Sequence, residues 1–120
     1  MAIPCPPIPT IDIDEEGRFK YILIRLKDKS TKKYRYIVRG YKWASFHAAM
    51  IDELEPTLKK TNLVCECVGG GRILHTPDEN KLFVYGYSVC YGRADHNITV
   101  SLLKKKFPEY TSITFSNEGY

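Results

Sequence analysis

Apolar and polar positions alternate along most of the chain, and this pattern predicts a protein built mainly of short strands. The clearest strand covers residues 18–26, which are rich in aromatic and β-branched side chains. On one face of it, the charged Lys20 shares the apolar row of Ile22, Ile24 and Leu26. Further strands are predicted at residues 10–14, 34–39, 63–68, 81–87 and 110–115, with Gly40 ending the third strand. Residues 72–75 are predicted to continue the fourth strand after a glycine bulge.

Two segments have helical spacing instead of alternation. The first begins near Ala44, and Pro56 predicts that it kinks there or ends just before. Its apolar stripe consists of His47, Met50, Ile51, Leu54 and Leu58. A second helix is predicted from an N-cap at Asn97 or Thr99 to about Lys106. This order of elements predicts a single α/β (α+β) domain over residues 10–120, preceded by an irregular, proline-rich arm at residues 1–9.

Composition narrows the class of protein. The 120 residues suit one domain, and 43% hydrophobic with 27% charged residues is ordinary for a soluble protein. The net charge of +4 suits an anionic ligand, although such a balance is also common on plain surfaces. The chain has no apolar run of membrane-spanning length and no signal-peptide pattern, so we expect a cytoplasmic protein with reduced cysteines and no membrane partner.

Several motifs contain the residue types of a known catalytic or metal site but lack the spacing that such a site requires. Cys67 is followed by Arg72 after four residues, where cysteine phosphatases need five, so we reject a thiolate nucleophile there. The intervening glycine run permits close approach to an anion, but a strand bulge is the interpretation that the sequence favours. Cys65 and Cys67 lack the spacing of a zinc pair, so no metal is expected. The lysines at 104–106 are weak evidence for nucleic acid and fit a solvated helix end.

His47 is ambiguous from its pattern alone. It lies on the apolar stripe of the first predicted helix, where a histidine is more often a packed core residue than a catalyst. Its titration range would nevertheless suit a general base or a nucleophile.

Several segments together resemble the Janus family of phosphohistidine phosphatases. They follow the family's order and extend from about Ile11 to the C-terminus, and the Arg-Gly-Tyr-Lys-Trp-Ala-x-x-His stretch that ends at His47 is the most specific. The matching segments are residues 17–25, residues 38–44 with His47, Cys65-Glu-Cys67 with the glycines and Arg72, residues 84–88 with Tyr91-Gly92, and residues 117–120.

The resemblance implies a mixed sheet of about six strands with two helices, no metal and no cofactor. It implies that His47 is catalytic, that Lys20 and Arg72 bind substrate, and that Arg39 supports the site. Ser88, Val89 and Cys90 match the family's phosphate-binding loop, although the loop departs from relatives at Val89 and Cys90. The implied partners are histidine-phosphorylated proteins, with a phosphate-like anion in the pocket, and a monomer is the default for so short a chain.

Two questions stay open from the sequence. His47 could activate water as a general base, which we favour slightly, or attack phosphorus and form its own phosphohistidine. The rival functions are a phosphoprotein-binding module without turnover and, less well supported, a nucleic-acid-binding module, whose binding would depend steeply on salt.

Overall fold

The computed structural model describes residues 8–118, which form a six-stranded mixed sheet with one helix on each face. This confirms the predicted α+β class and the two helices. The strands are β1 (Ile11–Ile13), β2 (Gly17–Asp28), β3 (Tyr34–Tyr41), β4 (Leu63–Thr76), β5 (Lys81–Tyr85) and β6 (Ser112–Phe115), and the helices are α1 (His47–Leu58) and α2 (His96–Lys106). Residues 1–7, most of the predicted arm, lie outside the described residues.

The sheet is centred on β2 and β4, and its strand order is β1-β3-β2-β4-β5-β6. The three inner pairs are antiparallel, whereas β1 and β6 pair in parallel at the two edges. The long antiparallel ladder between β2 and β4 sets Lys20 directly opposite Arg72. Because directly opposite residues point to the same face of a sheet, these two cations share a face.

Successive side chains of β2 point to opposite faces of the sheet and pack into two separate cores. Phe19, Tyr21 and Leu23 pack on the face that α2 covers with Val100 and Leu103. The intervening residues Ile22, Ile24 and Leu26 pack on the other face, under Met50, Leu54 and Leu58 of α1. The predicted apolar row of β2 and the predicted stripe of α1 are therefore confirmed as the two sides of one core. Lys20 continues that row, so its side chain is on the α1 face.

The first helix differs from its prediction at both ends. It begins at His47, three residues after Ala44, and it continues past Pro56 to Leu58. Of the two predicted alternatives, an end just before Pro56 is therefore wrong, and a kink at Pro56 stays a prediction. The proline lies in the last turn, where its missing N–H removes one intrahelical hydrogen bond. Helical bonding continues past the proline, since the Lys59 amide donates to the Glu55 carbonyl at 3.0 Å.

Gly40 lies inside β3 and does not end the strand, contrary to the prediction. The ring of Phe19 packs against it: a Cβ at Gly40 would stand 2.7 Å from Cε1 of Phe19. The glycine thus makes room for a core aromatic residue in mid-ladder. The predicted bulge in β4 is confirmed, since the register shifts where Leu23 and Ile24 face Gly69 and Cys67, and Gly69 has a φ of +138°.

The remaining boundaries differ from the predictions by at most four residues. The fifth strand ends at Tyr85, two residues earlier than predicted, because Gly86 adopts a φ of +76°. The second helix starts at His96, and its N-cap is Asp95, whose carboxylate accepts from the Asn97 amide at 3.1 Å. The predicted caps at Asn97 and Thr99 are wrong, since both residues lie inside the helix. Within residues 8–118, no helix is long and apolar enough to cross a membrane.

Candidate active site

His47 is the first residue of α1, and its ring lies against the middle of the sheet. Its Nε2 is 3.0 Å from the carbonyl oxygen of Gly71 in β4. A carbonyl only accepts, so Nε2 carries the proton and donates, which leaves Nδ1 of the neutral ring as a lone pair. In the described part of the chain, the one buried side-chain N or O atom without a hydrogen-bond partner is Nε of Arg25. Nδ1 of His47, which has no partner there, is therefore open to solvent.

The surroundings of His47 keep its imidazole neutral. Burial lowers the pKa of His47 below its ordinary 6.5, and the positive charges of Lys20 and Arg72 lower it further. The hydrogen bond to Gly71 acts in the opposite direction but does not outweigh them. The ring thus carries a free lone pair near neutral pH, beside two cations that would hold an anion.

Arg39 lies on the same face as Lys20 but further along the sheet, opposite Ile22. It is buried, and it donates to the Val38 carbonyl at 2.8 Å. Burial lowers its pKa, partly offset by Tyr41 and Asp12. It lines a separate cavity of about 210 Å³ together with Glu53 of α1. The structure thus brings Lys20 and Arg72 to His47, whereas Arg39 lies beside that cluster.

Ser88 opens a tight loop that closes on Gly92. The two residues exchange backbone hydrogen bonds, at 3.0 Å from the Ser88 amide and 2.8 Å from the Gly92 amide. The Ser88 hydroxyl oxygen accepts from the Tyr91 amide at 3.2 Å, so its own proton remains available to donate. Among the described residues, the amides of Val89 and Cys90 have no backbone acceptor. These two amides and the hydroxyl are therefore the donors that the loop offers to an anion, because the Ser88 amide is already used.

Gly70 holds this loop against His47. It donates to Gly92 and accepts from Ala94, both at 3.0 Å. A Cβ on Gly70 would stand 2.8 Å from Cδ2 of His47 and 3.1 Å from Cβ of Ser88. The histidine and the loop thus converge on a point that only glycine leaves empty. Sequence reasoning identified the bulge in this glycine run and missed its second role, the close approach of His47 and Ser88.

A buried network around His96, on the opposite face of the sheet, supports the site from behind. Nε2 of His96 donates to the Gly86 carbonyl at 2.9 Å, and its Nδ1 accepts from the Tyr21 hydroxyl at 2.5 Å. That hydroxyl in turn accepts from Thr99 at 3.0 Å. A Cβ on Gly71 would stand 2.8 Å from Cε1 of His96. The network fixes the strand end that leads into the Ser88 loop, and it packs behind the carbonyl that holds His47.

No pattern in the sequence indicated this network. His96 carries no recognisable spacing to the other histidines, and its partners come from β2 and from the chain after β5. Gly71 contributes only a backbone carbonyl, which has no signature in side-chain pattern. The one available hint was that a histidine followed a capping aspartate at a helix start.

The cysteines show no sign of a catalytic or metal-binding role in the described residues. Burial raises the pKa of the Cys67 thiol, which opposes the thiolate that a nucleophile needs. Burial likewise raises the pKa of Cys65. Within residues 8–118, no group of three histidine, cysteine or carboxylate side chains is placed to hold a metal ion.

Comparison with known proteins gives the class of protein. The Janus/Ocnus family model matches residues 5–111, and the chain belongs to that family. It is 45% identical to the 14 kDa phosphohistidine phosphatase of Sus scrofa, over 94% of this chain and 93% of that protein. The protein of the same name from Homo sapiens is 44% identical, with 94% of each chain covered. The sex-regulated protein janus-A of Drosophila pseudoobscura pseudoobscura is 46% identical, over 94% of this chain and 78% of that protein.

Proposed function

We propose that this chain is a protein phosphohistidine phosphatase, a hydrolase that cleaves the P–N bond of phosphohistidine in proteins. The observation that carries the proposal is the open Nδ1 of His47, near two cations and beside a loop of free donors. The names of the similar pig and human proteins support the same activity. A histidine-phosphorylated protein is then the substrate, and we further propose that the enzyme acts as a monomer in the cytoplasm.

The phosphoryl group is bound by charge and by backbone donors. Lys20 and Arg72 share one face of the sheet and supply positive charge beside His47. The Ser88 hydroxyl and the amides of Val89 and Cys90 complete the ring of donors. Donors fixed by the fold need no reorganisation as negative charge develops on the phosphoryl oxygens, so they stabilise the transition state as well as the bound substrate.

His47 then serves as the general base. Water attacks phosphorus and forms the new P–O bond while Nδ1 of His47 takes its proton, and the P–N bond breaks. The proton that His47 has taken passes through solvent to the leaving imidazole nitrogen, so His47 returns to its neutral form and the products are inorganic phosphate and histidine. The bond from Nε2 to Gly71 keeps Nδ1 directed at the reaction and stabilises the imidazolium that forms. Arg39, buried beside this group, is proposed to position the α1 side of the site and to make no substrate contact.

Turnover of a phosphohistidine peptide is the direct test. We expect multiple turnovers by the purified chain, with release of inorganic phosphate, and no comparable release from a phosphoserine peptide. Saturable binding of the phosphohistidine peptide without phosphate release would identify a non-catalytic binder and contradict the proposal. Steeply salt-dependent binding to DNA or RNA, with no turnover, would favour the nucleic-acid alternative.

Rapid quench separates the base mechanism from the covalent one. After mixing with a ³²P-phosphohistidine peptide, a general base leaves no label on the enzyme at any time. Label on His47 that survives base and is lost in acid would show that Nδ1 attacks phosphorus itself. That result would overturn the base role and keep the phosphatase activity.

A further inference from the structure

The two most exposed large apolar side chains of the described residues both adjoin the candidate active site. Val89 is 77% exposed and Phe46 is 73% exposed. Val89 follows Ser88 in the tight loop that closes on Gly92, and Phe46 immediately precedes His47. Exposed apolar side chains next to functional groups often mark a surface that binds another molecule.

The fold does not account for Phe46. It occupies the N-cap of α1, a position that favours a small polar side chain, and it makes no side-chain capping bond. With 73% of its surface exposed, it also adds little to either core. Val89 stands in a comparable position, since the tight loop is closed by backbone bonds between Ser88 and Gly92 and does not use the Val89 side chain.

Phe46 and Val89 belong to the two segments that converge at the site. Cδ2 of His47 and Cβ of Ser88 come within 2.8 Å and 3.1 Å of the same point above Gly70. A phosphoryl group bound beside Nδ1 of His47 and the amides of Val89 and Cys90 would project its own histidine outward between these segments. Neighbouring residues of an extended substrate chain follow at about 3.3–3.6 Å each, so the side chains beside the phosphohistidine are within reach of Phe46 and Val89, which we call the apolar rim.

We propose that Phe46 and Val89 determine substrate specificity by binding apolar side chains next to the phosphohistidine in protein substrates. This rests on the proposed function. Lys20, Arg72 and the loop amides recognise the phosphoryl group alone and carry no information about the surrounding sequence. The apolar rim supplies that information, because contact with another apolar side chain removes surface from water. Two side chains fall far short of the ~800 Å² per partner of a stable dimer, so a substrate segment suits this surface better than a second copy of the chain.

Three substrates test the proposal: a phosphohistidine peptide with leucine on both sides of the target, the same peptide with serine on both sides, and free phosphohistidine. We expect the wild-type kcat/KM to favour the leucine peptide over the serine peptide about tenfold, the scale of discrimination that an apolar contact gives. Phe46→Ala should reduce that ratio to about twofold or less while keeping wild-type activity on free phosphohistidine within about twofold. Phe46→Leu should restore most of the ratio, and Val89→Ala should reduce it.

Tyr34→Ala is the matched control. Tyr34 is an aromatic residue that is 57% exposed, and it pairs with Lys27, seven residues along β2 from Lys20. Seven strand residues span roughly 23 Å, so its loss should leave all three activities unchanged.

The outcomes distinguish a failure of this specificity proposal from a failure of the proposed phosphatase function. If wild type hydrolyses none of the three substrates, the proposed function fails. If wild type hydrolyses the two peptides equally well, only the specificity role is overturned. Equal loss on all three substrates in Phe46→Ala would also overturn it, since that result indicates damage to the phosphoryl site. A tenfold wild-type preference that disappears in Phe46→Ala and returns in Phe46→Leu is the supporting result.

Discussion

His47 and His96 occupy equivalent places on opposite faces of the sheet, yet only one has a free nitrogen. Each is the first residue of a helix, is buried, and has a pKa that burial lowers. Each donates Nε2–H to a glycine carbonyl of the sheet region, Gly71 for His47 and Gly86 for His96. They differ at Nδ1, which accepts from the Tyr21 hydroxyl in His96 and is open to solvent in His47.

The comparison shows that burial and a helix start do not make a histidine reactive. What makes it reactive is whether Nδ1 has a hydrogen-bond partner, together with the charges around the ring. His75 is the third case, with Nδ1 donating to the Asp14 carbonyl and Nε2 accepting from the Tyr110 hydroxyl. All three histidines lie in the described part of the chain, and His47 alone combines an open nitrogen with neighbouring cations.

Removing the open nitrogen should have the largest effect on catalysis. We expect His47→Ala to lower kcat on a phosphohistidine peptide by more than about 100-fold, the usual contribution of a positioned general base. The free energy of unfolding should fall less than in His96→Ala, because the His47 ring makes one hydrogen bond and its Nδ1 is open to solvent. Steady-state kinetics and urea unfolding measure the two effects. An active, folded His47→Ala would contradict the assignment.

His96, whose Nδ1 accepts a hydrogen bond from the Tyr21 hydroxyl, should matter for stability instead. His96→Ala should lower the free energy of unfolding by about 3 kcal/mol, because it opens a cavity and leaves the buried Tyr21 hydroxyl without its acceptor. Tyr21→Phe keeps the side-chain volume but leaves Nδ1 of His96 without its hydrogen-bond donor. We therefore expect it to lower the free energy of unfolding by less, about 1–3 kcal/mol. Urea unfolding of both variants measures this, with kcat of the folded variants as the second readout. Unchanged stability in both, or a kcat loss as deep as that of His47→Ala, would remove the distinction between the two histidines.

The residue pattern predicted the elements well because each depends on local alternation. The β2 row, the α1 stripe and the bulge before Arg72 all follow from positions within one segment. The tautomers of His47 and His96 do not follow from positions within one segment. The carbonyl that accepts from His47 is 24 residues away in sequence, and the hydroxyl that donates to His96 is 75 residues away. Pattern alone would have made His47 a core residue. Its place in a family motif raised its importance, and the open Nδ1 supplies the physical reason.

Changing one cation should alter both binding and the pKa of His47. We expect Lys20→Gln to lower kcat/KM about 10- to 100-fold, the scale of a lost hydrogen bond to a charged group. It should also raise the pKa of His47 toward 6.5, because the Lys20 charge favours the neutral ring. In the wild-type enzyme His47 therefore stays neutral to below pH 6.5. As pH falls, His47 of the free variant becomes protonated at a higher pH than in wild type. NMR titration of the His47 ring measures this directly.

Lys27→Gln is the control for that experiment, because Lys27 lies on the same strand at its far, exposed end. It should leave both kcat/KM and the His47 titration unchanged. An unshifted titration in Lys20→Gln would show that the Lys20 charge does not lower the pKa of His47.

The smallest expected effect concerns how the two helices begin. Asp95 caps α2 through the Asn97 amide, whereas Phe46 leaves α1 without a side-chain cap. Phe46→Ser should therefore stabilise the protein by about 1 kcal/mol, and Asp95→Ala should destabilise it by a similar amount. Urea unfolding measures both, and Asp95→Ser, which keeps a capping oxygen, should be nearly neutral.

A gain in stability from Phe46→Ser would show that the α1 start has been left uncapped at a cost to the fold. The alternative caps explain why: a carboxylate at position 46 would stand beside the site of a phosphoryl dianion and would raise the pKa of His47. A hydroxyl avoids that charge but removes the apolar rim. If Phe46→Ser instead destabilises the protein, the ring contributes packing that its exposure hides, and the unequal helix starts reflect the fold and not the site.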